Sequence, residues 1–287
     1  MKFPVLRIHC WGGLGSQLLA LSYYGMIQNT YPSRNIQIVL HTGGVTERKS
    51  EIDFLSDRVN LISVHDFEHM AKEKNTNKTL PFRIRTKFKN LVKTILNYVK
   101  LIITNESDIQ KIKPWTTNVR CSYANIELST KVIRDLGNLL QYNSKILNNN
   151  FIGIHLRVGD LVALKPQSLV NISTVSKLIN NLNLMKGNPN KIIVYSDSEL
   201  NLDSFNLLTD FAIELRNIDT LNTIFDLTSP KVFIGTNSKV SLWIAIFRYG
   251  FEIPGIVLLP TSIFDAFNKL ISPFQRVKNF EVLPYVP

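Results

Sequence analysis

Four stretches of the chain put glycines, charged or small polar residues where a strand gives way to a loop or helix. Near the start, Gly12-Gly13-Leu14-Gly15 follows a short apolar run and precedes a segment of helical spacing that includes Gln17. Glycines let the backbone turn with positive φ and approach a ligand closely, while the helix behind them offers unpaired N–H groups to an anion. A phosphate fits such a turn; without a ligand the same glycines make only a tight strand-to-helix connection. At mid-chain the run FIGIHLRVGDL, residues 151 to 161, ends a strand, and its two-residue alternation sets His155 and Arg157 on one face near the tip. A guanidinium can hold two phosphate oxygens, each charged hydrogen bond contributing about 1.5 to 3 kcal/mol. The alternative is a strand-end arginine paired with Asp160, and His155 taken alone reads as a core histidine. The run VYSDS ends another strand with Asp197, as a ligand-facing or an ordinary loop aspartate. Thr236-Asn237-Ser238 opens an apolar helix that carries Ser241. Side-chain oxygens there cap the helix, and the same helix start can take a phosphate.

Two familiar glycine motifs are excluded. A dinucleotide fingerprint would place glycine or alanine at Leu18 and an acid at the end of the second strand, where His41 stands. A P-loop needs Gly-Lys-Ser or Gly-Lys-Thr, and the chain has Gly15-Ser16-Gln17. Neither NAD nor ATP is expected.

The elements that must position these residues alternate by period. Strands are expected at 5–10, 36–40 and 59–64, with a helix at 16–29, and a longer helix at 128–147 ends the first half. The polar run Asn148-Asn149-Asn150 marks the expected boundary, giving domains 1–149 and 150–287. The second half repeats the alternation, with strands at 151–157, 191–195, 212–215, 232–234 and 256–259. Helices are expected between them at 175–185, 202–211, 220–227, 240–249 and 263–270. The class is α/β, and ligands of such sheets sit beyond the carboxyl ends of the strands.

Composition narrows the partners. At 287 residues, 45% of them apolar, the chain can bury a large core, and 33 Lys and Arg against 22 Asp and Glu leave a net charge of +11. That charge favours a nucleotide phosphate, a nucleic acid or a lipid surface. No RNA-binding aromatic signature or DNA-reading helix motif is present, so nucleic acid is not expected. Nine basic residues and one acidic fall between Lys72 and Lys100. Within them the apolar residues from Phe88 to Val99 recur at helical intervals, giving an amphipathic basic helix over 88–103. It is either a peripheral contact with an anionic membrane or a solvated packing helix. Two cysteines, Cys10 and Cys121, are too few for a disulfide framework and lack metal-type spacing. With no apolar run near the roughly 20 residues of a spanning helix, the expected setting is cytoplasmic, with peripheral contact at the inner membrane face under the first of these two readings of the basic helix.

The order Gly-Gly-Leu-Gly, His-x-Arg-x-Gly-Asp, Tyr-Ser-Asp and Asn-Ser-x-x-Ser-x-Trp resembles the bacterial α1,2-fucosyltransferases of glycosyltransferase family 11 and the related α1,6- and protein O-fucosyltransferases. The resemblance spans about residues 8 to 250 and is weakest between 40 and 150. It implies a GT-B fold, two Rossmann-like domains facing across a cleft, with the acceptor mostly on the first and the nucleotide-sugar on the second. It implies inverting transfer of fucose from GDP-fucose to a saccharide hydroxyl, with no cofactor and no obligatory metal. Carried over, Arg157 would bind the donor's β-phosphate while His155 and Asp160 shape that site. Gly12, Gly13, Leu14, Gly15 and Gln17 would approach the pyrophosphate, Asp226 would recognise the base, and Asn237, Ser238 and Ser241 would line the nucleotide pocket. Two positions depart from the family: Val158 replaces the second arginine of His-x-Arg-Arg, and Ser16 stands in the usual Gly-Asn-Gln. Another GDP-, UDP- or CMP-linked sugar is therefore the alternative donor. The general base is unassigned, with Asp160 and Asp197 the carboxylates considered.

Overall fold

The computed structural model describes residues 3–43, 49–65, 92, 94–96, 99–104, 109–120, 122–143, 150–159, 170, 172–183, 189, 191–200, 208, 211–271 and 277–287. They fall into two compact units, Met1–Ile126 and Glu127–Pro287.

In the first unit β1 (Leu6–Trp11), α1 (Leu14–Thr30), β2 (Ile36–His41) and β3 (Leu61–Val64) are followed by β4 (Ile102–Thr104) and β5 (Asn118–Arg120). Every pairing is parallel, in the order β3-β2-β1-β5-β4. Leu6, Ile8 and Cys10 are buried and alternate with Arg7, His9 and Trp11 on the other face of β1. Chain order leaves β1 toward β2 on one side and returns to β5 on the other, so the switch point lies between β1 and β5.

The basic helix expected over 88–103 cannot run its full course. Val92 and 94–96 are helical, but Lys100 takes φ 58° and β4 begins at Ile102. Leu101 N–H donates to Leu96 O (3.0 Å), the closure that ends a helix around a left-handed residue. Trp115 Nε1 and Thr116 Oγ1 then donate to the carbonyls of Val99 (2.8 Å) and Lys100 (2.6 Å). Phe88 to Leu91 lie outside the described residues.

The second unit opens with α2 (Thr130–Leu139), then β6 (Ile152–Leu156), α3 (Ile172–Asn183), β7 (Lys191–Ser196) and β8 (Ala212–Arg216). It continues through α4 (Thr220–Asp226), β9 (Val232–Ile234), α5 (Lys239–Gly250), β10 (Gly255–Pro260), α6 (Thr261–Leu270) and β11 (Phe280–Tyr285). Its six strands are all parallel in the order β11-β10-β9-β6-β7-β8. This is the order of dinucleotide-binding sheets, with the switch point between β6 and β9. All five residues of β6 are buried, as a parallel strand covered on both faces requires. Ile152, Ile154 and Leu156 pack with Val175 and Ile179 of α3 and with Ile192 and Val194 of β7. α5 is buried from Val240 to Gly250, so its apolar residues on every side are those of a central helix.

The boundary falls before α2, ahead of the Asn148–Asn150 run where the sequence places it. Arg134 of α2 donates from Nε to Gly250 O at the end of α5 (2.8 Å) and pairs with Glu252 (2.6 Å). Beyond α2, Tyr142 is hydrogen-bonded to Thr228 (2.6 Å) and its ring lies 4.9 Å from Phe225 and 4.7 Å from Phe251. These contacts tie 130–142 to the second unit. α2 itself is shorter than the expected 128–147: Gln141 takes φ 57°, and Tyr142 N–H closes onto Gly137 O (2.8 Å). The helix expected at 202–211 lies outside the described residues except for Leu208 and Phe211. Among the described residues no helix is long and apolar enough to cross a membrane.

Candidate functional site

The carboxyl ends of β6 and β9 flank the second unit's switch point, and the backbone there is drawn tight. A Cβ on Gly235, just past β9, would lie 2.7 Å from Ser241 Cβ and 2.9 Å from Leu259 Cδ2. Only glycine lets the chain pass this close beneath the first turn of α5. Ser241 Oγ accepts the N–H of Thr236 (2.9 Å) and is hydrogen-bonded to His155 Nδ1 (2.8 Å). Thr236 Oγ1 in turn accepts the N–H of Arg157 (3.2 Å). These bonds join the tips of β6 and β9 to the start of α5.

His155 is 5% exposed, and burial pushes its pKa down to about 4, with the Asp197 carboxylate opposing and Arg157 reinforcing that shift. It is therefore a neutral ring at pH 7 whose work is to hold Ser241. Arg157 stands two residues on, just past the end of β6, with Nε 3.8 Å from Asp197 Oδ2 and a quarter of its side chain exposed. The other oxygen of Asp197 accepts the N–H groups of Val158 (2.8 Å) and Gly159 (3.0 Å). Asp197 thus fixes the loop after β6 and holds the guanidinium at the strand tip. Asp160 lies outside the described residues.

A second cluster lies along the row defined by the register pairs His155↔Tyr195 and Tyr195↔Arg216. Tyr195 OH donates to Asp226 Oδ2 (3.0 Å) and accepts from Arg216 Nη1 (2.9 Å), which is also 3.5 Å from Asp226. Burial and the Asp226 carboxylate hold the Tyr195 phenol well above its ordinary range. Arg216 pairs with Glu214 (2.5 Å), whose carboxyl is held below its usual range by Lys191 and Arg216. Asp226, expected to recognise a base, is nearly half exposed and stands at the edge of this network.

Of the residues expected in the nucleotide pocket, Ser238 is the N-cap of α5, accepting from Val240 N (3.1 Å). Ser241 braces His155, and Asn237 Oδ1 accepts from Ser262 Oγ at the start of α6 (2.9 Å). Capping was one of the two readings of this segment; the brace to His155 was in neither.

The glycine turn of the first unit is occupied by the chain itself. Gly12 takes φ 111°, the left-handed region that favours glycine, and Gly13 is the N-cap of α1. The first helical N–H, that of Leu14, donates to Glu51 Oε1 (2.8 Å). Gln17 is 2% exposed; its Nε2 donates to Gly12 O (3.2 Å) and Lys49 O (3.1 Å), and its Oε1 accepts from Glu51 N (3.0 Å). A carboxylate of the protein therefore sits where the turn was expected to hold a phosphate. Gln17 pins the 49–51 segment in place.

The structure thus brings His155, Arg157, Asp197 and Ser241 together and sets Asp226 in a neighbouring network. It places Gly12 to Gly15 and Gln17 around Glu51. Sequence reasoning missed Thr236, Tyr195, Arg216 and Glu51 as partners. Arg216 and Tyr195 were reachable by the same strand-tip argument that singled out Arg157, whereas nothing local links Glu51 to a helix 37 residues earlier. Among the described residues no three His, Cys, Asp or Glu side chains converge as a metal site would need.

No family model matches the chain, and no curated protein matches it. Solved structures do. The Escherichia coli heptosyltransferase WaaC with ADP aligns at TM-score 0.44 and 10% identity, over 98% of this chain and 93% of that one. A glycosyl transferase family 9 protein from Veillonella parvula aligns at 0.47 and 11%, over 100% and 88%. A UDP-N-acetylglucosamine 2-epimerase-like protein from Listeria monocytogenes aligns at 0.43 and 10%, over 93% and 82%. Likeness at this level fixes neither a family nor a substrate, and the functional reading rests on the site.

Proposed function

We propose that the chain is a glycosyltransferase of the GT-B kind that takes its sugar from a nucleotide-sugar and passes it, with inversion, to a saccharide hydroxyl. The observation that carries this reading is the brace across the β6/β9 switch point, which presents Arg157 at the strand tip beside a helix start. When the donor's bond breaks, the electron pair leaves with the nucleoside phosphate as the sugar turns cationic. Fixed donors aimed at that growing charge lower the barrier. Arg157 supplies them at the diphosphate, held by Asp197 and by the His155–Ser241–Thr236 chain, while Asp226 and Arg216 offer polar groups to the nucleoside end. Gly12 to Gly15 and Gln17 act as a structural turn, and no metal takes part.

The donor is best described as a nucleoside-diphosphate sugar. GDP-fucose is the donor that the motif order names. Val158 carries no cation where the His-x-Arg-Arg pattern has its second arginine, which favours the wider class. Transfer to a surface polysaccharide or oligosaccharide at the inner membrane face fits the +11 charge. A thermal-shift panel of GDP, UDP, ADP and CMP, with and without EDTA, tests the reading. It expects one nucleotide to raise the melting temperature by several degrees whether or not EDTA is present. No shift with any of them would refute it.

A further inference from the structure

The first unit carries a cluster at its own switch point that the transferase reading leaves unused. On the polar face of β1, His9 Nδ1 is 2.9 Å from His41 Nε2 of β2, and His9 Nε2 is 2.8 Å from Asn118 Oδ1 of β5. The amide is oriented from behind: Asn118 Nδ2 donates to Thr117 Oγ1 (2.9 Å), which donates to Leu101 O (3.3 Å). With Oδ1 facing His9, Nε2 of that ring is the donor, so its Nδ1 accepts from His41. Burial, aided by Arg120, His41 and Arg7 and opposed by the Asn118 bond, lowers the His9 pKa to about 4, so the ring is neutral at pH 7. A buried imidazole locked in one tautomer between two polar partners is a costly way to fill space that an apolar side chain would fill as well.

At the tip of the same face the Trp11 indole lies parallel to His41, ring centroids 4.2 Å apart and planes within 10°, yet it stays 42% exposed. An indole held flat from behind, on a sheet face that also carries guanidinium groups, offers a rigid apolar surface to a ligand with polar substituents. Arg7 and Arg120 are exposed on this face, cross-strand from Asn118 and His9 respectively. Among the described residues, β1 to β5 bring no aspartate or glutamate to it.

We propose that Trp11, backed by His41 and framed by Arg7, Arg120 and Asn118, forms a subsite for an acidic pyranose, such as a uronic acid, on the first unit. The C–H face of the sugar ring packs on the indole, and its carboxylate meets the guanidinium groups. The identification of that sugar as an acceptor rests on the transferase reading; the subsite itself does not.

The test is saturation-transfer NMR on the full chain with methyl β-D-glucuronide and methyl β-D-glucoside, alongside GDP, UDP, ADP and CMP in separate samples. The glucuronide is expected to bind at least threefold more tightly than the glucoside at low salt. That preference should vanish in Arg120→Gln, and binding should fall at least tenfold in Trp11→Ala while surviving in Trp11→Phe. Circular dichroism of each variant matching the parent chain establishes that the loss is local. Equal binding of the two glycosides, indifference to Trp11→Ala, or no binding of either overturns the proposal. If the glucuronide binds through Trp11 and no nucleotide binds, the subsite stands and the transferase reading fails. If a nucleotide binds and neither glycoside does, the subsite fails and the transferase reading stands.

Discussion

Ser241 illustrates how one hydroxyl can hold three segments at once, since it touches the tip of β6 through His155 and the end of β9 through the Thr236 amide. Ser241→Ala leaves a buried imidazole nitrogen and a buried N–H without their partner. It should lower stability by about 1 to 3 kcal/mol, read as a shift in the urea midpoint at unchanged slope. Nucleotide affinity should fall in the same variant, because Arg157 N–H hangs from Thr236. Stability equal to that of the parent chain would show that the brace carries no load. Arg157 and His155 were legible in the sequence because period-two alternation assigns them a face and an end. Asp197 and Ser241 were singled out as well, but as separate ligand contacts: their links to Arg157 and His155 bridge 40 and 86 residues, and only the folded sheet brings such residues together. Glu51 is the sharper case: a helix start that looked ready for a phosphate already holds a carboxylate from a distant loop.

At the scale of elements, strands and helices with strong period announced themselves, and so did the three-residue β9 through its apolar run, whereas β4, β5 and β11 did not. β4 and β5 are too short to show alternation, and β11 carries Pro284, a residue that weakens a strand reading and is tolerated at the sheet edge where β11 lies. Helix ends were the other source of error. Both the helix before β4 and α2 stop at non-glycine residues in the left-handed region, Lys100 and Gln141. Neither residue type signals a stop, whereas glycine would have. Since a side chain in that region costs about 1 kcal/mol relative to glycine, Lys100→Gly should stabilise the first unit by roughly that amount. A lower melting temperature in that variant would contradict the assigned turn. Gly235→Ala should act in the opposite sense, because its Cβ meets Ser241 and Leu259 within 3 Å. The expected cost is about 1 to 3 kcal/mol together with weakened nucleotide binding.

Over the whole molecule, each unit keeps one neutral imidazole below a tenth exposed near its switch point, His9 in the first and His155 in the second. Both have folded pKa values lowered from 6.5 to about 4. The unfolded chain therefore takes up protons near pH 6.5 that the native state refuses until about pH 4. The stabilisation is complete above pH 6.5 and is lost as pH falls between those values, by up to about 3 kcal/mol for each ring. Urea midpoints measured at pH 7.5, 6 and 5 should fall steadily, and His155→Gln should flatten the part of the slope that belongs to the second unit. A midpoint constant over that range would mean that neither ring is held neutral. The sequence disclosed the two-part α/β organisation, since its alternation of elements survives without any partner. It misplaced the break between the parts, because a polar asparagine run resembles a linker while Arg134 and Tyr142 secure the preceding segment to the second unit.

The claim on which the function depends is that the second unit grips a nucleoside diphosphate through Arg157. Isothermal titration of GDP, UDP and ADP into the parent chain and into Arg157→Ala, with matched circular dichroism, measures it directly. The account predicts that at least one diphosphate binds and that its affinity drops tenfold or more in the variant. Binding to neither protein, or equal binding to both, would contradict it.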